Sequence, residues 1–210
     1  RTGEDEMSAN YDSNVALVTT TSMSNYLGIS AGSTEESECD LLINEASTMA
    51  ATLCQRGIDE NGVSRFLSTS RTEYYDGDSS DTLHVKAYPL TAVTSLYVDP
   101  DRDYGSTTLI EDTDYVTYEN EGMIKTDGAL LAGGFKSIKL TYTGGYTTVP
   151  ADLQHAVKEL VAFLYKRNTD KRVGVSSVSI GDKSISYEAN IPESVMSTFK
   201  RYRRWAAVVA

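Results

Sequence analysis

The spacing of apolar residues changes twice along the chain. Before about residue 60 and after residue 150 they recur every third or fourth position, as on one helix face; from Arg65 to Tyr146 they alternate, as in strands. The first helical signal is TTTSMSNYLGI, where Ser and Thr supply caps, Met23, Tyr26 and Leu27 supply apolar contacts, and Gly28 stops a short helix. A longer one follows in STEESECDLLINEASTMAATLCQRG. Ser33 or Thr34 caps it, Glu35, Glu36 and Glu38 favour the positive end of its dipole, Leu42, Ala46, Met49, Ala50 and Leu53 form a stripe, and Gly57 ends it. These signals predict helices within residues 20–56.

The alternating region predicts five or so antiparallel strands over residues 65–146. FLSTSRTEYYDGDSSDTLHVKAYPL reads as two strands about a DGDSSD turn, AVTSLYVDP and DYVTYENEGMIKTDG follow, and FKSIKLTYTGGY closes the series. In the last strand Ile138, Leu140 and Tyr142 share one face, Lys139, Thr141 and Thr143 the other, and the strand is expected to end at Tyr142. A core helix over residues 150–168 is opened by Pro150 and Asp152 and carries Leu153, Ala156, Val157, Leu160, Val161 and Leu164 at helical spacing. Residues 169–191 read as a Ser-rich arm with a hairpin about Gly181–Asp182, and Pro192 opens a final helix over residues 192–210. Residues 1–15 are polar, acidic and aperiodic, and read as a flexible arm. The expected fold class is α+β: N-terminal helices, an antiparallel strand region, a long core helix, an extended arm and a C-terminal helix, with the core over residues 16–168.

Composition narrows the function classes. A chain of 210 residues has room for one good-sized domain or a domain with an appended module. No stretch approaches the about 18 apolar residues of a membrane span, and the first residues lack the apolar segment of a secretory signal. The net charge of −11 is segregated: residues 1–60 hold 11 acids against 2 bases, residues 150–210 hold 6 acids against 10 bases. The acidic bulk disfavours tight binding to nucleic acid, which depends on cations at phosphates. Cys39 and Cys54 fall in one predicted helix, roughly 22 Å apart at about 1.5 Å per residue, too far to bridge, and read as buried thiols. With only His84 and His155, a structural zinc site is not expected.

Candidate chemistry is sparse, and no catalytic, cofactor or metal residues are assigned. Gly144–Gly145 and Gly133–Gly134 lack the G-x-G-x-x-G spacing or G-K-[S/T] ending of a phosphate cradle; Gly144, Gly145 and Pro150 read instead as a structural joint between sheet and helix. His155 and Glu159 lie one helical turn apart, a spacing that would suit general-base work in a small hydrolase, but both fall off the apolar stripe. DPDRDYGSTTLIED has acids at alternate positions, yet its glycine and its late apolar residues do not suit a calcium loop. The run Lys200, Arg201, Tyr202, Arg203, Arg204 and Trp205 reads as a protein-docking helix end, with Val195, Phe199 and Tyr202 on one face; DNA stacking is the alternative.

Three segments carry a family resemblance: ALVTTTSMSNYLGIS; LLINEASTMAATLCQRG leading to RTEYYDGDSSDTLHVKAYPLTAVTSLYVD; and KLTYTGGYTTVPADLQHAVKELVAFLYKRN. The last is the most specific, with a strand ending in Y-x-G-G-Y, then P-x-D-L and a long helix. The chain resembles the head-tail connector (adaptor) proteins of tailed bacteriophages. The resemblance implies a non-enzymatic virion protein of the neck, assembled in the host cytoplasm. It would form a ring, usually of twelve copies, beneath the portal protein, connecting the DNA-filled head to a stopper or tail-completion protein and letting double-stranded DNA pass. It also implies portal docking by Lys200 to Trp205, and leaves another neck or tail-completion role as an alternative. The acidic arm and the strand-rich stretch 97–135 go beyond compact members of that family.

Overall fold

A computed structural model describes residues 10–105, 108–109, 112–127, 131, 133–169, 177–180, 183–186 and 190–204. The chain divides into two compact units: residues up to Ser64 together with Val149–Arg204, and Arg65–Thr148.

The first unit is helical. α1 (Thr20–Leu27) starts where the Thr19 side chain accepts the Ser22 amide and stops at Gly28, whose φ of 71° is left-handed. α2 (Thr34–Leu53) starts where Ser33 accepts the Glu36 amide. α2 ends at Leu53, short of the predicted residue 56, because Gln55 turns to a φ of 56° and the amides of Arg56 and Gly57 both reach back to the Ala51 carbonyl. α3 (Ala151–Thr169) lies one residue beyond the predicted span. Pro150 therefore precedes the helix, and its carbonyl accepts the Gln154 amide at 2.9 Å. β8 (Ser177–Ile180) and β9 (Lys183–Ser186) pair antiparallel, as a hairpin about Gly181–Asp182 requires, although those two residues lie outside the described ones. α4 (Glu193–Arg201) is shorter than the predicted helix 192–210: Pro192 stands at its N-cap, Tyr202 at its C-cap, and residues 205–210 lie outside the described residues.

The core of this unit lies between α2, α3 and α4, where Ile43, Ala46, Ala50, Leu153, Leu160 and Phe199 are fully or almost fully buried. Residues 10–15, expected in the arm, pack on α2 instead. The Asp12 amide donates to Asn44 Oδ1, Asn44 Nδ2 donates to the Asn10 carbonyl, and Val15 is buried. The expectation erred because the apolar run Val15–Val18 draws the preceding polar residues onto the helix. Residues 1–9 lie outside the described residues.

The second unit is built from two antiparallel sheets. One has the order β1 (Thr69–Gly77), β7 (Gly134–Gly144), β3 (Leu90–Val98), β4 (Thr108–Leu109); the other has β2 (Thr82–His84), β6 (Met123–Thr126), β5 (Tyr115–Tyr118). Among the described residues of this unit seven strands thus stand where five or so were expected. The two strands flanking DGDSSD do not pair with each other: β1 joins β7 and β2 joins β6, so this turn links two sheets. β7 is the spine, and its Ile138, Leu140 and Tyr142 face a core with Leu83, Val85, Leu96 and Ile124, as their alternation predicts. It runs to Gly144, two residues past the predicted end, because both neighbours still pair there, Thr69 on one side and Leu90 on the other.

Candidate functional site

The double glycine is shaped by close backbone approach. A Cβ on Gly144 would lie 2.4 Å from the Ala87 carbonyl oxygen and 2.8 Å from the Tyr142 ring. On Gly145, whose φ is 108°, it would lie 2.4 Å from the Leu67 carbonyl oxygen. The polar groups here already have protein partners: Gly145 N–H donates to the Pro89 carbonyl, Tyr146 N–H to the Phe66 carbonyl, and the buried Arg71 guanidinium to the carbonyls of Gly144, Thr69 and Leu67. A phosphate cradle needs amides aimed outward; the Gly145 and Tyr146 amides are turned into the strand unit.

The C-terminal basic run is partly used within the chain. Arg201 pairs with Asp152 at 3.3 Å, and the Tyr202 hydroxyl donates to the same carboxylate, which lies below the ordinary aspartate value through that hydrogen bond first. Cys54 Sγ donates to the Phe199 carbonyl, Arg56 Nε to the Tyr202 carbonyl, and Arg204 N–H to the Cys54 carbonyl. Lys200 and Arg203 remain exposed, whereas Trp205 lies outside the described residues. Val195 and Phe199 of the predicted docking face are buried within the helical unit, since α4 packs on α2 and α3.

His155 and Glu159 are not assembled as a catalytic pair. His155 is exposed and meets the Tyr26 ring edge-on at 6.2 Å, while Glu159 accepts the Ser194 hydroxyl at 2.9 Å. The carboxylate of Asp99, in the calcium-like loop, accepts the amides of Asp101 and Tyr104 at 2.9 Å each, so it organises its own turn. Among the described residues no group of three or more His, Cys, Asp or Glu side chains is placed to hold a metal ion. Nor, among the described residues, is any helix long and apolar enough to cross a membrane.

Two buried polar arrangements escaped the sequence reading. On α2, Glu36 and Asp40 are buried and accept hydroxyls from α1: Ser24 to Glu36 at 2.9 Å and Thr20 to Asp40. The matching four-residue spacings, Thr20/Ser24 and Glu36/Asp40, were the available signal on two helices that pack together. Burial pushes the Asp40 carboxyl up, the Thr20 hydrogen bond opposes this, and the Glu36 charge adds to the rise. A carboxyl raised in the fold contributes stability at low pH that is lost as pH rises through its native value. Asp40→Asn, which keeps an acceptor for Thr20, is therefore expected to raise Tm by a few degrees near neutral pH, with the gain shrinking in acid; melting curves across pH check this.

In the strand unit the buried Glu73 carboxylate accepts the hydroxyls of Tyr75 and Tyr142, the latter at 2.9 Å, and pairs with Arg65 at 3.1 Å. The inward positions of β1 thus hold Arg71 and Glu73, an alternation whose buried face is charged.

Both cysteines are free and buried, Cys39 pushed up to about 11 and Cys54 to about 12, in each case chiefly by burial. The reactive form of a thiol is the thiolate. The native protein at pH 8 should leave both thiols unmodified by an aromatic disulfide reagent over minutes, and both should react at once in denaturant.

Comparisons with known proteins bear on what these surfaces serve. Residues 16–205 match the family described as head completion protein. The fold is similar to that of a chain from the virion of a native gene transfer agent particle, with a TM-score of 0.59, 16% identity, and coverage of 92% of this chain and 93% of that one. It is also similar to a chain in the neck of an empty particle of that kind computed with C6 symmetry, with a TM-score of 0.57 and 16% identity over 92% and 93%. A third similar chain comes from the neck of a native particle computed with C12 symmetry, with a TM-score of 0.53 and 17% identity over 94% and 97%. No curated protein matches the sequence.

Proposed function

The protein belongs to the head completion protein family, and on that premise we propose that it is a structural protein of the virion neck, forming a ring beneath the portal. The observation that carries this reading is the family match across residues 16–205, which takes in both compact units. The likeness to neck chains, one from a particle computed with C12 symmetry, supports a ring of twelve copies. The ring joins the head to a stopper or tail-completion protein and leaves a passage for double-stranded DNA. An acidic chain suits that passage, because a surface poor in cations repels the duplex rather than holding it.

The exposed Lys200 and Arg203 supply the portal-facing charge, and Arg201 and Tyr202 fix the segment to α3 through Asp152. Exposed cations at an interface rim govern encounter and salt sensitivity more than affinity. Lys200→Glu with Arg203→Glu should weaken portal binding most at low salt, and should leave ring size unchanged. The defining experiment is native mass spectrometry and electron microscopy of the full chain with purified portal. A closed ring seated on the portal is expected; a chain that stays monomeric and never binds portal overturns the reading. A His155→Ala chain that assembles normally but loses a measurable turnover would instead favour the hydrolase reading.

A further inference from the structure

Two surface features of opposite character stand one in each unit. In the strand unit Phe135 is 83% exposed. It stands on a braced knuckle at the start of β7. The Lys136 amide donates to Asp76 Oδ1 at 2.7 Å, the Lys136 carbonyl accepts the Tyr104 hydroxyl, and Ser137 Oγ donates to the Gly134 carbonyl while accepting the Gly77 amide at 3.1 Å. Lys136 and Tyr104 hold φ of 51° and 49°, conformations that residues with a Cβ seldom take. Two cations lie beside it: Lys136 over the Tyr74 ring at 6.0 Å and Lys139 over the Tyr97 and Tyr104 rings at 5.7 and 5.4 Å. An apolar side chain left in water on backbone fixed from both sides is pre-organised for a partner.

In the helical unit, the N-terminal half of α2 and the last turns of α3 enclose an open groove of about 590 Å³. Leu41, Leu42 and Tyr165 give it apolar surface, with Leu41 49% exposed, and Glu35, Glu38 and Glu45 rim it. No cation is among its lining residues.

We propose that Phe135 of one copy seats in the α2–α3 groove of a second copy, with Lys136 and Lys139 facing Glu35, Glu38 and Glu45. This rests on the ring reading and deepens it. A ring closes through a head-to-tail contact, which requires two different surfaces that complement each other. The knuckle combines an apolar tip with two lysines, the Asp76 carboxylate being engaged by the Lys136 amide, and the groove is an apolar floor flanked by carboxylates. The groove volume lies within the roughly 300–1,000 Å³ over which pockets take up ligand-sized groups.

The test uses the full chain under conditions where the wild type forms rings. Phe135→Ala should reduce assembly at least about tenfold, as loss of a central anchor does, with Tm unchanged because that side chain is exposed. Glu38→Lys with Glu45→Lys should do the same, and adding Lys136→Glu with Lys139→Glu should restore the ring. Phe135→Cys combined with Leu41→Cys should give an oxidant-dependent ladder of linked chains, absent from either single variant; the native thiols are buried. Rings that assemble as wild type in the Phe135→Ala and glutamate variants, or a missing ladder, overturn the proposal and leave the ring reading standing. Groove variants that keep the ring but lose portal or tail binding assign the groove to another virion protein, and also overturn it. A wild type that forms no ring even with portal removes the ring reading first and this inference with it.

Discussion

Gly145→Val is expected to destabilise the fold severely. The residue holds a φ of 108°, and any Cβ there meets the Leu67 carbonyl oxygen at 2.4 Å and its carbon at 2.5 Å. These atoms are backbone and cannot swing aside. They are held by the Leu67–Tyr146 bridge and by Arg71, whose guanidinium bonds the same Leu67 carbonyl. Backbone strain of about 1–3 kcal/mol and overpacking of about 1–3 kcal/mol together consume much of a typical domain stability of about 5–15 kcal/mol. Thermal unfolding of the soluble fraction measures the loss. Gly28→Ala separates the two causes, since Gly28 has a φ of 71° but nothing within 4 Å of the added carbon. That variant should lose only the strain, about 1 kcal/mol. A Gly145→Val protein melting with the wild type would show that the β7 exit does not need a glycine.

The second large effect is expected from Glu73. Glu73→Ala removes from the buried side of β1 the acceptor of the Tyr75 and Tyr142 hydroxyls and the carboxylate that pairs with Arg65. Breaking such a buried ion pair by deleting one partner costs about 3–5 kcal/mol. Glu73→Gln, which keeps size and one acceptor, should cost less. Burial pushes the Glu73 carboxyl up, but the hydroxyls of Tyr75 and Tyr142 and the charges of Arg65 and Lys86 outweigh it, and the net shift is downward. A carboxyl lowered in the fold contributes stability that is present above its unfolded value and is lost as pH falls through its native value. The wild type should therefore lose stability in acid faster than Glu73→Gln. Parallel acid-dependent slopes in denaturant titrations would sink this assignment.

The helices and the β7 spine were legible because each buries one regular face: Leu153 to Leu164 at helical spacing, Ile138 to Tyr142 at strand spacing. Helix ends were less so. The stop of α2 at Leu53 depends on Gln55 adopting a left-handed turn, which a glutamine does not announce. Sheet partnership was not legible either, because alternation shows that β1 and β2 are strands but not that each seeks a different neighbour. The basic run at Lys200–Arg204 was read from its charge, its aromatics and the helix face of Val195, Phe199 and Tyr202. Its actual disposition depends on Asp152, a residue about fifty positions earlier that local pattern does not connect to it. Glu73 was hidden for the opposite reason: polar residues at inward strand positions look like outward ones until the faces are known.

The bridge between Leu67 and Tyr146 also bears on how this chain would tolerate a change of length. With Tyr146 N–H bonded to the Phe66 carbonyl and Ser68 N–H to the Tyr146 carbonyl, the strand unit closes its own ends where the chain enters and leaves it. The loop it forms between α2 and α3 therefore carries its closure entropy internally, and its length is not felt by the helices. In building terms the unit is a cassette: a change of length between these two residues is expected to leave the helical unit unstrained.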